Sequence, residues 1–179
     1  RGRMAPRGRD GATLGGRGPP RAPVKRVLVA VVGGSWCTSE EEEWAGTVGR
    51  LLAERGAVLL CGGLGGVMEA AARGAKEGGG LTVGLLPGAD TDEANPHIDV
   101  PIATGMGEMR NALIVRAAHA VIAIGGGWGT LSEIALAQRI KTPVVGLHDA
   151  FMSTVDIPRV ATPHAAVAWA LEQAQDREV

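Results

Sequence analysis

The chain has 179 residues, 45% of them hydrophobic and 3% aromatic, with 28 glycines, no Tyr and a formal net charge of −1. Such a length and apolar content suit one core built from Val, Leu, Ile and Ala, and a chain below about 200 residues favours a single domain. Two cysteines are too few for a disulfide framework, and no apolar run reaches the roughly 18 residues that span a bilayer, so a soluble, cytoplasmic protein with no membrane partner is expected.

Residues 1–23 scatter Arg1, Arg3, Arg7, Arg9, Arg17 and Arg21 among Gly and Pro with almost no apolar residues, the composition of a disordered tail. Setting aside those six arginines and Asp10 leaves 12 basic against 18 acidic residues, so the body carries −6. Without aromatic interleaving the tail reads as a solvated leader rather than a nucleic-acid arm, and it lacks the amphipathic, Ser-containing pattern of a transit peptide; Met4 is a candidate start. One domain is expected over residues 24–179.

From Lys25 onward, short apolar runs alternate with helical patterns, as in β-α-β units around a parallel sheet. Arg26 to Val32 reads as the first strand, ending at Gly33-Gly34-Ser35. Thr38 and Ser39 each have a Glu three residues later, giving two registers for a capping box, and Trp44, Val48, Leu51 and Leu52 mark the buried stripe of the helix that follows. Ala57 to Cys61 is the second strand. It runs into Gly62-Gly63-Leu64-Gly65-Gly66 and a small-residue helix carrying Val67, Met68, Ala71, Ala72 and Ala75. Leu81 to Leu86 is the third strand, Asp99 to Ala103 a short fourth, and a helix from about Gly107 to Ala118 is expected to turn Met109, Leu113 and Ala117 inward.

Ala120 to Ile124 is a continuous apolar strand that runs into Gly125-Gly126-Gly127-Trp128-Gly129, with a helix over Thr130 to Ile140. Val144 to Leu147 gives a sixth strand, Arg159 to Ala161 a short further one, and the last helix covers about Pro163 to Gln175. The pattern predicts an α/β fold, an open doubly wound and mostly parallel sheet of about six or seven strands with helices on both faces. In such sheets ligands lie outside the carboxyl ends of the strands, at the switch point. Three glycine turns, at Gly33-Gly34, Gly62 to Gly66 and Gly125 to Gly129, share that edge.

A helix N-terminus carries unsatisfied N–H donors and about half a positive charge, so a phosphate is its natural guest. Arg110 at a helix start conflicts with that dipole unless an anion is bound. A snorkelling arginine, or one salt-bridged to Glu108 or an acid across the cleft, is the structural alternative. Asn111 suits a ligand hydroxyl or base edge, or a cap. Glu133 offers a carboxylate, although Thr130 and Glu133 also form an S/T-x-x-E capping box of their own. The turns match neither G-x-G-x-x-G nor a P-loop. Cys37 and Cys61 read as small buried hydrophobes, His97, His119, His148 and His164 lack metal-ligand spacing, and Asp90, Asp92 and Glu93 read as a solvated turn. No metal and no required cofactor are therefore expected. Scarce surface aromatics argue against a nucleic-acid platform.

Gly62-Gly63-x-Gly65-Gly66-Val67-Met68, Pro87-Gly88, Arg110-Asn111 and Gly126-Gly127-x-Gly129-Thr130-x-x-Glu133-Ile134-Ala135-Leu136-Ala137 together resemble the molybdenum-cofactor-carrier-like branch of a larger superfamily. That superfamily includes the "lonely guy" phosphoribohydrolases, often mislabelled lysine decarboxylases. The resemblance covers about residues 26–147. It implies a Rossmann-like fold, a homodimer or homotetramer, and a bound nucleotide or molybdenum cofactor as ligand rather than as a required cofactor.

The expected ligand-binding set is Gly33, Gly34, Ser35, Gly63, Gly65, Gly66, Met68, Arg110, Asn111, Gly126, Gly127, Trp128, Gly129, Thr130 and Glu133. In the phosphoribohydrolase branch the residues matching Arg110 and Glu133 are the catalytic pair. This chain has Gly125 where those enzymes have Pro and Asn111 where they usually have Lys, and both departures resemble the carriers. Lysine decarboxylation finds no support, since Lys25, Lys76 and Lys141 fall away from the predicted cleft.

Overall fold

A computed structural model describes residues 26–147 and 155–175. The expected tail, Lys25 and His148 lie outside these residues. The described residues form a seven-stranded sheet of β1 (Leu28–Gly33), β2 (Val58–Cys61), β3 (Thr82–Leu86), β4 (Val100–Ala103), β5 (Ala120–Ile124), β6 (Val144–Leu147) and β7 (Arg159–Val160). Its order is β4-β3-β2-β1-β5-β6-β7, with every pairing parallel. The chain steps outward from β1 to β4 and then returns to lay β5 against the other side of β1. The switch point therefore falls between β1 and β5.

Alternation along β1 explains how a single strand serves two cores. Val29 and Val31 join the cluster formed with α1 (Ser39–Glu54), α2 (Val67–Glu77) and α5 (Pro163–Gln175). Ala30 and Val32 join the other, with α3 (Asn111–Ala117) and α4 (Trp128–Ile140). With both faces covered, β5 is buried at every residue. Each fully buried Leu or Ile in these layers stabilises the fold by about 1.5–3 kcal/mol.

Few bulky side chains separate α1 from α2. A Cβ placed on Gly49 would fall 1.9 Å from the Ala71 carbonyl, and one on Gly74 would fall 1.9 Å from the Gly46 carbonyl, so these helices touch backbone to backbone. Thr38 closes the N-terminus of α1 with a reciprocal box to Glu41, which settles the two registers in favour of Thr38.

Two helical expectations are corrected. The segment before α3 starts as a 3-10 turn, Gly107–Arg110, and the face expected to be inward points out: Met109 is 73% and Leu113 37% exposed. The buried stripes are Arg110 to Ile114 and Asn111 to Val115, each at a spacing of four, with a polar residue at the cleft end. The apolar spacing of Met109, Leu113 and Ala117 predicts the wrong face at its first two positions, because Arg110 and Asn111 take the inward face there, while Ala117 is half-buried and packs against the core beneath α3 and α4. The second correction concerns α4, which begins two residues early at Trp128 with Gly127 as an N-cap that makes no side-chain bond. Thr130 and Glu133 thus lie inside the helix and form no capping box. Cys37 is also only half-buried, whereas Cys61 is fully buried, and burial pushes the Cys61 thiol up to about 11.

Candidate functional site

A cavity of about 470 Å³ opens at the carboxyl ends of β1, β2 and β5. Gly33, Gly34 and Ser35 line it from the loop after β1, Met68 from α2, and Gly126, Gly127, Gly129 and Thr130 from the corner after β5. Arg110, Asn111 and Glu133 close its floor, so eleven of the expected ligand residues meet there. Gly63, Gly65, Gly66 and Trp128 do not line it.

Physical reasons separate the glycines. The Gly63 carbonyl accepts from the Asn95 backbone N–H and, with the Leu64 carbonyl, from the Asn95 side-chain amide. The first N–H of α2, on Val67, donates to the Gly34 carbonyl at 3.0 Å, and a Cβ on Gly66 would fall 2.3 Å from that same oxygen. One donor and two carbonyls of the turn after β2 are thus engaged, the donor by the loop after β1 and the carbonyls by Asn95. Neither α2 nor α4 has a side-chain cap, and among the described residues two first-turn N–H groups of each have no partner, those of Met68 and Glu69 in α2 and those of Gly129 and Thr130 in α4; after β5 both belong to residues that line the cavity, after β2 only Met68 does.

Arg110 is 6% exposed. It donates from Nη2 to the Gly62 carbonyl at 3.4 Å and from Nη1 to the Asn111 side-chain oxygen. Asn111 in turn donates to the Ser132 hydroxyl at 3.3 Å, which ties this arginine to α4. Arg110 Nε is buried without a partner, and no ion pair to Arg110 forms among the described residues. An unsatisfied buried donor costs about 1–3 kcal/mol, more when charged; Nε itself is enclosed, while the residue lines the cavity. Gly62 makes the placement possible, since a Cβ there would fall 2.6 Å from Arg110 Nη2 and 2.7 Å from Met68 Sδ.

Glu133 is 6% exposed on the cavity side of α4. Burial pushes its carboxyl up to about 7; the Arg110 guanidinium pulls it down, and Glu108 raises it further. With its capping role removed, this carboxyl has no helix-end duty. Lys76 is paired with Asp99 at 2.6 Å, and Lys141 caps the far end of α4, so neither serves the cavity.

Sequence reasoning missed Trp36, Glu41, Gly62, Leu64 and Glu108, all of which line the cavity. Trp36 directly follows the predicted cleft loop, and Glu41 was already singled out as a capping-box partner; either signal could have found them. The argument from scarce aromatics also needs correction, because Trp36 and Trp128 are 93% and 81% exposed, one after β1 and the other at the start of α4.

Sheet order and switch point define a Rossmann-like α/β protein with a cavity at its strand ends. The chain belongs to the SLOG cluster4 family, which matches residues 26–174. It is 47% identical over 129 residues to an uncharacterized protein of Archaeoglobus fulgidus, a stretch covering 68% of this chain and 85% of that one. Among solved structures it resembles the molybdenum cofactor binding protein of Rippkaea orientalis, at 35% identity and a TM-score of 0.79 over 84% of this chain and 98% of that one. It also resembles the molybdenum cofactor carrier protein of Chlamydomonas reinhardtii, at 33% identity and a TM-score of 0.77 over 86% and 100%. The branch indicated by the sequence motifs is the one these neighbours occupy. No helix among the described residues is long and apolar enough to cross a membrane.

Proposed function

We propose that this protein is a carrier that binds a phosphorylated purine- or pterin-type ligand at the glycine corner after β5 and releases it unchanged. One observation carries this reading: the free N–H groups of Gly129 and Thr130 and the unpartnered Nε of buried Arg110 belong to residues lining one cavity. Helix-end amides and a guanidinium together are a recognised way to hold a phosphate. The likeness to molybdenum cofactor carriers supports a pterin-type guest. Residues 24–179 would act as one binding domain, with no nucleic-acid partner. A homodimer or homotetramer fits the exposed Met109 and Leu113, and a monomeric mass by light scattering would overturn that assembly.

Titration calorimetry with inorganic phosphate, AMP and GMP tests the carrier reading. Binding is expected, and Arg110→Ala should weaken it by about 1.5–3 kcal/mol, the scale of a charged hydrogen bond. Unchanged affinity would remove Arg110 from the site.

A second reading, N-glycosidic hydrolysis of a nucleoside 5'-monophosphate, is favoured by Glu133 alone. A buried carboxyl raised to about 7 beside a phosphate-holding arginine is suited to move a proton at neutral pH. In that chemistry it would stabilise a developing oxocarbenium-like ribose or activate water. Against it stands Gly125, at a left-handed φ of +51° that Pro cannot adopt, so the corner differs in backbone from one built on Pro. Chromatography for free base during incubation with AMP or GMP separates the two: binding without base release supports the carrier, and release lost in Glu133→Gln supports the hydrolase.

A further inference from the structure

Glu41 lines the cavity from the first turn of α1 and meets the corner after β5 at Gly125. Its carboxylate is divided between two tasks. Oε2 accepts the Thr38 backbone N–H at 2.8 Å and completes the capping box of α1. Oε1 has no hydrogen bond among the described residues and reaches across the switch-point crevice to Gly125, where it lies 1.9 Å from the position a Cβ would take. Gly125 has no Cβ, and that gap is what admits the carboxylate. Glu41 lines the cavity together with Trp36, whose ring is 93% exposed on the loop after β1. An exposed indole supplies a flat stacking face that tolerates any base, whereas a lone carboxylate oxygen accepts hydrogen bonds and rejects lone pairs.

We propose that Glu41 and Trp36 form a ring subsite that selects heterocycles presenting a ring N–H beside an exocyclic amino group, the 2-amino-6-oxo edge of guanine, over adenine. This inference rests on the nucleotide-binding reading above. Guanine offers two neighbouring donors to Oε1. Hypoxanthine offers the ring N–H alone. Adenine places the N1 lone pair there, facing the carboxylate. Trp36 contributes by stacking and is indifferent to the pattern of donors.

The test compares GMP, IMP and AMP by titration calorimetry on the full chain. Affinity is expected to fall in that order, with GMP at least about tenfold tighter than AMP, since a charged hydrogen bond is gained in one case and a lone-pair clash met in the other. Glu41→Gln is the informative variant. The cap needs an acceptor, so the amide oxygen stays on the Thr38 N–H and the amide nitrogen, a donor, turns to the cavity. The variant should keep its melting temperature, lose the GMP preference and gain affinity for AMP. Trp36→Ala should weaken all three nucleotides by a similar factor and leave their order unchanged.

Equal affinities for the three nucleotides in the wild-type protein, or a GMP preference that survives Glu41→Gln, would overturn the subsite while leaving the phosphate site standing. Unaltered binding in Trp36→Ala would remove the stacking face. Failure of inorganic phosphate and of every nucleotide to bind would overturn the binding reading itself, and this subsite with it.

Discussion

The glycine turn after β2 and the glycine corner after β5 leave the same edge of one sheet and each opens a helix, yet their backbones are employed differently. After β2, the first helical N–H is bonded to Gly34, the carbonyls of Gly63 and Leu64 are bonded to Asn95, and the glycines leave room for neighbouring main chain. Both helices start without a side-chain cap and each leaves two first-turn N–H groups unbonded among the described residues, but after β5 both sit on cavity-lining residues, Gly129 and Thr130, whereas after β2 only Met68 lines the cavity and Glu69 does not. Glycine content alone does not make an anion site. What matters is whether the donors the fold leaves over lie along the cavity.

Substitutions can break or sharpen that contrast. The largest expected effect concerns Glu133, which the open corner buries. Its carboxyl ordinarily titrates at 4.5 and in the folded protein at about 7, so the unfolded chain gives up this proton first. Stability from the neutral form is complete below pH 4.5 and is lost as pH rises through 7, an effect of about 3 kcal/mol. Glu133→Gln should therefore raise the melting temperature more at pH 8 than at pH 4, and an equal change at both would show that the carboxyl is not held in this way.

Next comes the closed turn. Gly66→Ala sets a Cβ 2.3 Å from the Gly34 carbonyl at a φ of +64° and should destabilise by about 1–3 kcal/mol in urea unfolding. Near-neutral behaviour would mean that the two loops are not locked together. The same change at the open corner, Gly129→Ala, meets nothing within 4 Å and should stabilise α4 by up to about 1 kcal/mol. Destabilisation there would show that the corner is as tightly built as its neighbour. Gly62→Ala is the mildest probe of the site: displacing the flexible ends of Arg110 and Met68 should weaken phosphate binding by less than Arg110→Ala does.

Much of this was legible in the sequence. Six of the strands follow from apolar runs, three of them running into glycine turns, and the short β7 falls at the predicted Arg159 position. Arg110 was identifiable because a cation at a helix start opposes the dipole, and it proves to be buried with a donor to spare. The misreadings share a cause. The inward face of α3 was assigned by apolar spacing, but Arg110 and Asn111 occupy that face. Thr130 and Glu133 have the spacing of a capping box, but the helix starts earlier than that motif requires. Gly63, Gly65 and Gly66 have the composition of a phosphate loop, but Asn95 donates to the carbonyls of Gly63 and Leu64 and the Gly34 carbonyl takes the Val67 N–H, contacts made from distant parts of the chain. Local pattern reports which groups a segment carries, whereas long-range contacts decide which of those groups remain available.

The divided carboxylate of Glu41 also constrains how this protein can change. One oxygen fastens the start of a sixteen-residue helix while the other faces the cleft, so a substitution that retunes the cleft also acts on the helix end. Ala or Lys at this position would fray α1 whatever it did for a guest, while Gln keeps the fastening and exchanges an acceptor for a donor. Drift in ligand preference at this point is thereby funnelled through a single conservative exchange, and relatives differing there as Glu or Gln would be expected to differ in what they hold.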